Sequence, residues 1–146
     1  WHLPEATAHT VDSENWLRTG DAGYLDDDGY LFICDRVKDM VCSGGENVYP
    51  AEVEAVLYGH PSVAEAAVIG VPDAKWGEAV KAIIVPTAGR AIDEAELIAF
   101  TRASLAAFKA PKSIDVVDAL PRNASGKVLK KNLREPYWQG FDRRVN

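Results

Sequence analysis

The sequence predicts a small α+β domain with about three strands and three helices, preceded by a β-hairpin that belongs to a larger sheet. Two runs, 63–71 and 78–85, consist mostly of β-branched residues and alanine, which is typical of buried strands. Residues 50–57 and 94–107 carry apolar side chains at helical spacing. The chain has 146 residues, of which 47% are hydrophobic and 26% charged, so one folded domain with a core is expected.

The predicted hairpin consists of two strand-like runs, 16–24 and 30–34, separated by the turn signal Asp26-Asp27-Asp28-Gly29. Two strands alone are marginally stable in water, so the hairpin is expected to be the end of a larger sheet. The sequence opens without a methionine and reads as the interior of a longer protein. Several apolar side chains would then lack their native cover and should pack against the following domain or a second chain: Trp16, Leu17, Tyr24 and Leu31.

The first predicted helix follows a polar, glycine-containing stretch, 35–49. Pro50 suits the first position of a helix, where its missing N–H leaves no hydrogen bond unmade. Gly59-His60-Pro61 should end this helix. Three apolar residues have the spacing of a buried helical stripe: Val53, Val56 and Leu57.

Two strands come next, with their turn marked by Pro72-Asp73 and Trp76-Gly77. Asp93 and Glu96 have the spacing of a capping box and predict a helix over 94–107. That helix should bury one side, formed by Leu97, Ile98, Thr101 and Leu105. The last predicted elements are a strand at 114–117, a loop at 121–126 and a helix at 128–134, ended by Pro136.

Composition and charge exclude several classes of protein. The net charge of −6 argues against general nucleic-acid binding. The charge is uneven, and the 9 bases against 4 acids in residues 109–146 predict a solvated face or contact with a phosphate-bearing ligand. Two cysteines, Cys34 and Cys42, and 3 scattered histidines predict neither a disulfide framework nor a zinc site. The start resembles no signal peptide, so a cytoplasmic location is expected, with membrane association left open.

Three motifs carry more information than their secondary structure. Taken singly each has an ordinary interpretation, because an Asp after Gly is usually a turn residue and a Lys after Ser-Gly is usually exposed. In chain order they are Arg18-Thr19-Gly20-Asp21, then Asp35-Arg36-Val37-Lys38-Asp39-Met40-Val41-Cys42-Ser43-Gly44-Gly45-Glu46-Asn47-Val48-Tyr49-Pro50, then Pro121-Arg122-Asn123-Ala124-Ser125-Gly126-Lys127. Together they resemble the acyl-adenylate-forming superfamily of AMP-dependent synthetases and ligases, which includes acyl-CoA synthetases, peptide-synthetase adenylation domains and firefly-type luciferases.

The resemblance covers nearly the whole chain and is closest to the C-terminal domain of fatty-acyl-CoA synthetases and aryl-CoA ligases, on residues 43–54 and 134–138. It implies that residues 1–35 are the end of the N-terminal adenylate-binding domain together with the hinge. Residues 36–146 would be the C-terminal lid domain. The phosphate-binding glycine-rich loop and the acyl pocket of such enzymes would lie upstream of this chain.

The resemblance also assigns the nucleotide and hinge residues. Asp21 matches an aspartate that binds both ribose hydroxyls of the adenylate, a task that suits a carboxylate because it accepts charge-assisted hydrogen bonds. Arg36 matches an arginine that also reaches the ribose. Asp35 matches the hinge residue, whose backbone rotation would move a rigid body. The alternatives are a turn cap for Asp21 and a surface ion pair for the other two.

A second set of residues would border the tunnel through which the pantetheine arm of coenzyme A brings its thiol to the active site. Ser43, Gly44 and Gly45 match the loop that lines this tunnel in the family. Glycine suits such a loop because it allows close approach of a thin ligand. A tight turn with positive φ is a compatible alternative. Some relatives have a lysine at the position of Cys42, so the role of that lysine is not transferred. Weaker candidates for contact with the nucleotide or active site are Lys38, Glu46 and Asn47.

Lys127 matches the catalytic lysine that closes over the site during adenylation. Attack of a carboxylate on the α-phosphate builds negative charge on phosphoryl oxygens, and a long cationic side chain can stabilise that charge. Ser125-Gly126 is expected to let the loop move. The alternative is an ordinary solvated lysine.

The implied enzyme is an acid–thiol ligase that converts ATP and a carboxylic acid, of the fatty class, to acyl-AMP and then transfers the acyl group to coenzyme A. ATP and coenzyme A would be substrates, and Mg²⁺ would bind with ATP through the missing N-terminal domain of the same protein. The chain alone is expected to be inactive, and a homodimer is left open. The alternatives are an adenylation domain that loads a carrier protein, a luciferase-like oxidase and a non-catalytic free-standing module.

Overall fold

The computed structural model describes residues 2–141 and begins with a helix that the sequence did not predict, α1 (Pro4–Thr10). Strands β1 (Asp21–Leu25) and β2 (Leu31–Arg36) follow and pair antiparallel, as expected for the hairpin. The first strand is shorter than predicted, because residues 16–20 lie outside it. The Asp12 carboxylate accepts hydrogen bonds from the backbone of Glu14 and Trp16, which closes a turn there.

The polar stretch after β2 contains a second hairpin, which the sequence analysis took for a loop. Strands β3 (Val41–Ser43) and β4 (Glu46–Val48) pair antiparallel around the two-residue turn of Gly44 and Gly45. Both glycines have positive φ, 62° and 88°, which are the signs of a type I′ turn. Such turns match the twist of paired strands and require residues without a Cβ penalty.

The elements after residue 49 confirm the predicted three strands and three helices. They are α2 (Pro50–Leu57), β5 (Val63–Asp73), β6 (Gly77–Pro86), α3 (Glu94–Ser104), β7 (Ser113–Val116) and α4 (Lys130–Arg134). Helix α3 is shorter than predicted, since Leu105 is already extended and packs against the core. Pro136 does not end the last helical segment, because it lies inside a 3-10 turn, Glu135–Tyr137, where its missing N–H is tolerated.

A five-stranded sheet forms the centre of the fold after residue 40, with the order β4-β3-β6-β5 and β7 parallel to β6. Helices α2 and α3 cover one face, where Val53, Leu57 and Leu97 are buried. Residues from 117 to 137 cover the other face, packing on Ile69 and Ile83. Because both faces are covered, β5 and β6 appear in the sequence as continuous apolar runs rather than alternating ones.

Side chains bond to three backbone groups along the outer edge of β5. The Tyr58 hydroxyl donates to the carbonyl of Ala66 at 3.3 Å, and the Glu54 carboxylate accepts from the N–H of Val68 at 2.7 Å. The indole of Trp138 donates to the carbonyl of Gly70 at 2.9 Å. The three groups belong to alternate residues of β5 and face away from β6.

Apolar side chains in and just before the first hairpin are uncovered. Trp16 is 71% exposed, and Leu17, Tyr24 and Leu31 are also largely exposed. The expectation that they lack cover is therefore confirmed. Packing against the elements that follow is not seen within residues 2–141, and the alternative, packing against a second chain, stays a prediction.

Within the same residues, none of the helices combines the length and the apolar character that a membrane-spanning segment needs.

Candidate functional site

Asp21 and Arg36, the two residues predicted to bind ribose, form an ion pair. They face each other in the β1–β2 register, and Arg36 Nε lies 2.8 Å from Asp21 Oδ1. The guanidinium also donates to the carbonyl of Thr19 at 3.3 Å. Both side chains remain partly exposed, so a carboxylate acceptor and a guanidinium donor are presented side by side to solvent. Such a pair can accept from one hydroxyl of a diol and donate to the other.

Asp35 joins the first hairpin to the domain that follows. Its Oδ2 accepts from the backbone N–H of Ala51 at 2.8 Å, in the first turn of α2, and its Oδ1 accepts from the N–H of Arg36 at 2.7 Å. Tyr49, the residue that precedes α2, makes no side-chain cap. The carboxylate of Asp35 therefore supplies the cap from β2, next to the positive end of the helix dipole, an arrangement usually worth about 1 kcal/mol.

The glycine turn is held against the turn between β5 and β6. The N–H of Gly44 donates to the carbonyl of Trp76 at 2.8 Å, and Ser43 pairs with Gly77. A Cβ at Gly44 would lie 2.6 Å from the Trp76 ring, so only glycine fits there. At Gly45, in contrast, a Cβ would meet nothing within 4 Å, and this side of the turn is open to a ligand.

The other candidates near this turn differ in accessibility. Ser43 is buried, whereas Glu46 and Asn47 lie exposed on β4. Lys38 is exposed in the 3-10 turn Val37–Asp39. A groove of about 780 Å³ adjoins the turn, and its lining includes Gly45, Trp76, Glu78, Trp138 and Phe141.

The loop that carries Lys127 is ordered internally by hydrogen bonds. Asn123 Oδ1 accepts from the N–H of Ser125 at 3.1 Å, from its hydroxyl at 2.8 Å and from the N–H of Lys127 at 2.8 Å. Arg122 donates to the carbonyl of Gly126 at 2.6 Å. These bonds join residues of the loop to one another, so the expectation that the loop moves as a unit stays a prediction.

Lys127 itself is exposed, and its ammonium takes part in none of the ion pairs found within residues 2–141. Its loop is anchored to β5, because Arg122 forms an ion pair with Glu65 near the start of that strand. The glycine turn is attached at the other end, where Asp73 pairs with Gly77. At about 3.3 Å per residue, the strand from Glu65 to Asp73 spans about 26 Å.

Two ion-pair clusters brace the sheet without lying in the candidate site. In the first, the carboxylate of Asp115 on β7 accepts from Lys81 of β6 and from Tyr137 of the C-terminal segment. In the second, Arg134 lies 2.8 Å from Asp39. Burial and the hydrogen bond to Asp115 raise the pKa of Tyr137 to about 12. Burial alone would raise the pKa of Asp115, but hydrogen bonds from Lys81 and Tyr137 and the Lys81 charge bring it below its usual value.

Metal-ligating residues are dispersed in the part of the chain that the structure describes. No group of three His, Cys, Asp or Glu side chains there could hold a metal ion. Both cysteines, Cys34 and Cys42, are free thiols.

Sequence reasoning missed three side chains that shape the site, namely Trp76, Glu78 and Asn123. Trp76-Gly77 was interpreted only as a turn and Glu78 only as the start of a strand, although a large aromatic residue in a turn usually needs a surface to pack against. Asn123 stands where side-chain-to-backbone turns are common, which could have predicted an ordered loop.

Comparison with known proteins agrees with this arrangement. Residues 52–127 match the family model described as the AMP-binding enzyme C-terminal domain, just over half of the chain. Over all 146 residues the chain is 50% identical to fatty acid–[acyl-carrier-protein] ligase ScoC of Streptomyces coeruleorubidus. Over 137 residues, 94% of the chain, it is 51% identical to long-chain-fatty-acid–CoA ligase FadD13 of Mycobacterium tuberculosis.

Solved structures also resemble this chain over only part of their own length. ATP-bound MatB from Rhodopseudomonas palustris superposes with a TM-score of 0.88 at 44% identity, and the match covers 97% of this chain and 28% of that one. The chain likewise spans only 28% of the length of ScoC and 27% of that of FadD13.

Proposed function

Because this chain belongs to the family of AMP-binding enzyme C-terminal domains, we propose that it is the lid of an ATP-dependent acid–thiol ligase. Residues 36–146 form the lid, and residues 1–35 are the hinge and the last hairpin of a larger N-terminal domain. The uncovered apolar side chains of the first hairpin, such as Trp16 and Leu31, support this division, because a sheet of the larger domain would cover them.

The first half-reaction is adenylation. A carboxylate oxygen of the acid attacks the α-phosphorus of ATP, the bond from that phosphorus to the bridging oxygen breaks, and pyrophosphate leaves with the electron pair. Lys127 stabilises the charge that develops on the phosphoryl oxygens. Asp21 and Arg36 hold the ribose through the acceptor and donor that their ion pair presents. Mg²⁺ accompanies ATP, and its ligands belong to the upstream domain.

The second half-reaction is thioester formation. The thiol sulfur attacks the acyl carbon, the carbon–oxygen bond to AMP breaks, and AMP leaves while the thiol proton goes to solvent. The glycine turn at 44–45 borders the path of the thiol, because its open side at Gly45 leaves room for a thin ligand. The lid turns about Asp35 between the two steps.

The separation of the two candidate elements is the observation that carries the proposal. The loop of Lys127 contacts β5 near Glu65, and the glycine turn lies near Asp73, positions that are about 26 Å apart along the strand. Elements that lie near opposite ends of one strand suit a lid that presents each of them in a different orientation. Two steps that need one element each, in turn, fit this geometry.

The proposal also names the molecule that accepts the acyl group and the class of acid that is activated. The likeness to FadD13, a long-chain-fatty-acid–CoA ligase, supports coenzyme A as the acceptor and a fatty acid as the substrate. A carrier protein is the second candidate acceptor, because ScoC is an acyl-carrier-protein ligase and matches the whole chain. A cytoplasmic enzyme would suit either acceptor.

Two substitutions in the complete protein test the assignment of the two steps. Lys127→Ala should slow adenylate formation from ATP by about 10²- to 10³-fold and leave thioester formation from synthetic acyl-AMP nearly unchanged. Gly45→Leu should give the reverse pattern, because its side chain would obstruct the thiol. Single-turnover measurements of each step separate the two effects. Lys112→Ala, an exposed lysine elsewhere on the lid, is the matched control.

The assignment of Lys127 fails if Lys127→Ala slows both steps equally, since it would then be a folding or docking residue. The chain alone should catalyse no carboxylate-dependent exchange of pyrophosphate with ATP. Such exchange would contradict the proposal that the phosphate loop and acyl pocket lie upstream.

A further inference from the structure

A buried carboxylate lies directly behind the glycine turn. Glu78, near the start of β6, is only 4% exposed, and it lies on the sheet face that also carries Val80. Its Oε2 accepts from the backbone N–H of Cys42 at 3.2 Å. Burying a carboxylate is costly unless hydrogen bonds satisfy it, so its position beside this turn calls for a function.

The neighbouring strand makes room for this carboxylate. Gly70 of β5 lies opposite Val80 on the same face, and a Cβ at that position would be 2.5 Å from Glu78 Oε2. The same Cβ would be 3.1 Å from a methyl group of Val41. Glycine inside a strand is unfavourable by itself, and here it provides the space that Glu78 occupies.

Glu78 replaces a missing part of the sheet ladder. Strands β3 and β6 have one registered pair, Ser43 with Gly77, and the N–H of Cys42 donates to the carboxylate of Glu78. The N–H of Cys42 points away from β4, because its pair with Asn47 lies one residue before the pair that closes the turn. The Glu78 carboxylate therefore holds the strand that leads into the glycine turn.

We propose that Glu78 is a positioning residue for thioester formation, acting through the backbone of Cys42 on the glycine turn. The inference rests on the proposed function, in which the thiol sulfur passes this turn, bonds to the acyl carbon and displaces AMP. Without the carboxylate, the N–H of Cys42 loses this partner, and next to the turn β3 keeps its pair of Ser43 with Gly77 and the contacts of Gly44 with Trp76. The turn can then pivot, and the opening beside Gly45 changes its width and direction.

Three variants of the complete protein separate positioning from other roles. Glu78→Met removes the acceptor and keeps a side chain of similar length. Glu78→Gln removes the charge but keeps an oxygen that can accept from Cys42. Gly70→Ala displaces the carboxylate without altering Glu78 itself. Glu135→Met, at an exposed glutamate in the 3-10 turn before the C-terminus, is the matched control.

Two measurements are made on each variant. Single-turnover rates are measured for adenylate formation from ATP and a fatty acid, and for thioester formation from a synthetic fatty acyl-AMP over a range of coenzyme A concentrations. Hydrogen exchange followed by mass spectrometry reports the protection of peptides that contain residues 41–48.

Glu78→Met and Gly70→Ala should slow thioester formation by about 10- to 100-fold, the size expected for misplacement of a reacting group. They should raise exchange in 41–48 and leave adenylate formation within about twofold. Glu78→Gln should restore most of the thioester rate. The inference is overturned if Glu78→Met slows both steps equally or neither, or if Glu78→Gln is as slow as Glu78→Met.

Failure of the proposed function would look different. In that case the parent protein would form no thioester from acyl-AMP, and the rates would contradict the proposed reaction. Unchanged exchange at 41–48 in both Glu78→Met and Gly70→Ala would overturn the structural role of Glu78 by itself. If Glu78→Met does not fold, Gly70→Ala and Glu78→Gln still decide between the outcomes.

Discussion

One side chain accepts three of the hydrogen bonds that order the Lys127 loop. Asn123→Ala removes the acceptor of three hydrogen bonds, two from Ser125 and one from the N–H of Lys127. A buried hydrogen bond contributes about 1 kcal/mol, but these are exposed and water replaces part of each, so a total of about 1–2 kcal/mol is expected. Other hydrogen bonds remain in the variant, from Arg122 to the carbonyl of Gly126, from the N–H of Asn123 to the carbonyl of Lys127, and from the N–H of Gly126 to the carbonyl of Asn123.

The expected kinetic effect follows from that energy. If the loop must be ordered when Lys127 meets the phosphoryl group, a loss of 1–2 kcal/mol lowers the rate of adenylate formation by about 5- to 30-fold. Rapid-quench single turnovers of the complete protein, at saturating ATP and fatty acid, measure this rate. Thioester formation from supplied acyl-AMP should not change.

Ser125→Ala is the graded control, because it removes one of the three hydrogen bonds and should cost less than about threefold. The reasoning is refuted if Asn123→Ala leaves adenylation within about twofold of the parent while amide exchange in 123–127 becomes faster. The loop would then be ordered by the bound nucleotide, and its order in the free protein would be irrelevant to the rate.

Three further predictions concern stability. Asp39→Ala should lower the free energy of unfolding in urea by about 3 kcal/mol, because it leaves the largely buried guanidinium of Arg134 without this partner. A loss below about 1 kcal/mol would contradict the contribution assigned to this ion pair. Leu57→Ala should lower the free energy of unfolding by about 2–5 kcal/mol in the same assay, because Leu57 is fully buried. Val56→Ala should lower it clearly less, because Val56 is partly exposed. Equal losses in the two variants would refute the assigned core. Tyr137 has a pKa raised from 10.0 to about 12, so its contribution is complete below pH 10 and is lost as pH rises towards 12. The melting temperature of Tyr137→Phe should therefore fall less than that of the parent between those pH values, and parallel curves would exclude the linkage.

Long apolar patterns predicted their elements well, and short polar ones did not. β5 and β6 were recognisable because both faces of the sheet are covered, so their residues are apolar in succession. The hairpin of β3 and β4 was missed because its strands are three residues each and include Cys42, Ser43, Glu46 and Asn47, too few and too polar for a periodic pattern.

Some residues of the candidate site could be predicted from short motifs, and others could not. Asp21, Arg36 and Lys127 were identified from motifs, which are local in sequence. The contacts of Trp76 with Gly44, of Glu78 with Cys42 and of Asp35 with Ala51 join residues far apart in the chain, and they depend on strand register. Register follows from which faces are buried across the whole sheet, so no short segment predicts it.

The side chains along the outer edge of β5 have a consequence for how this domain associates. Outward groups of Ala66, Val68 and Gly70 already bond to Tyr58, Glu54 and Trp138, so a strand added there would have to displace these side chains. That displacement makes strand addition less favourable along this side and lowers the tendency of copies of the domain to join edge to edge through β5.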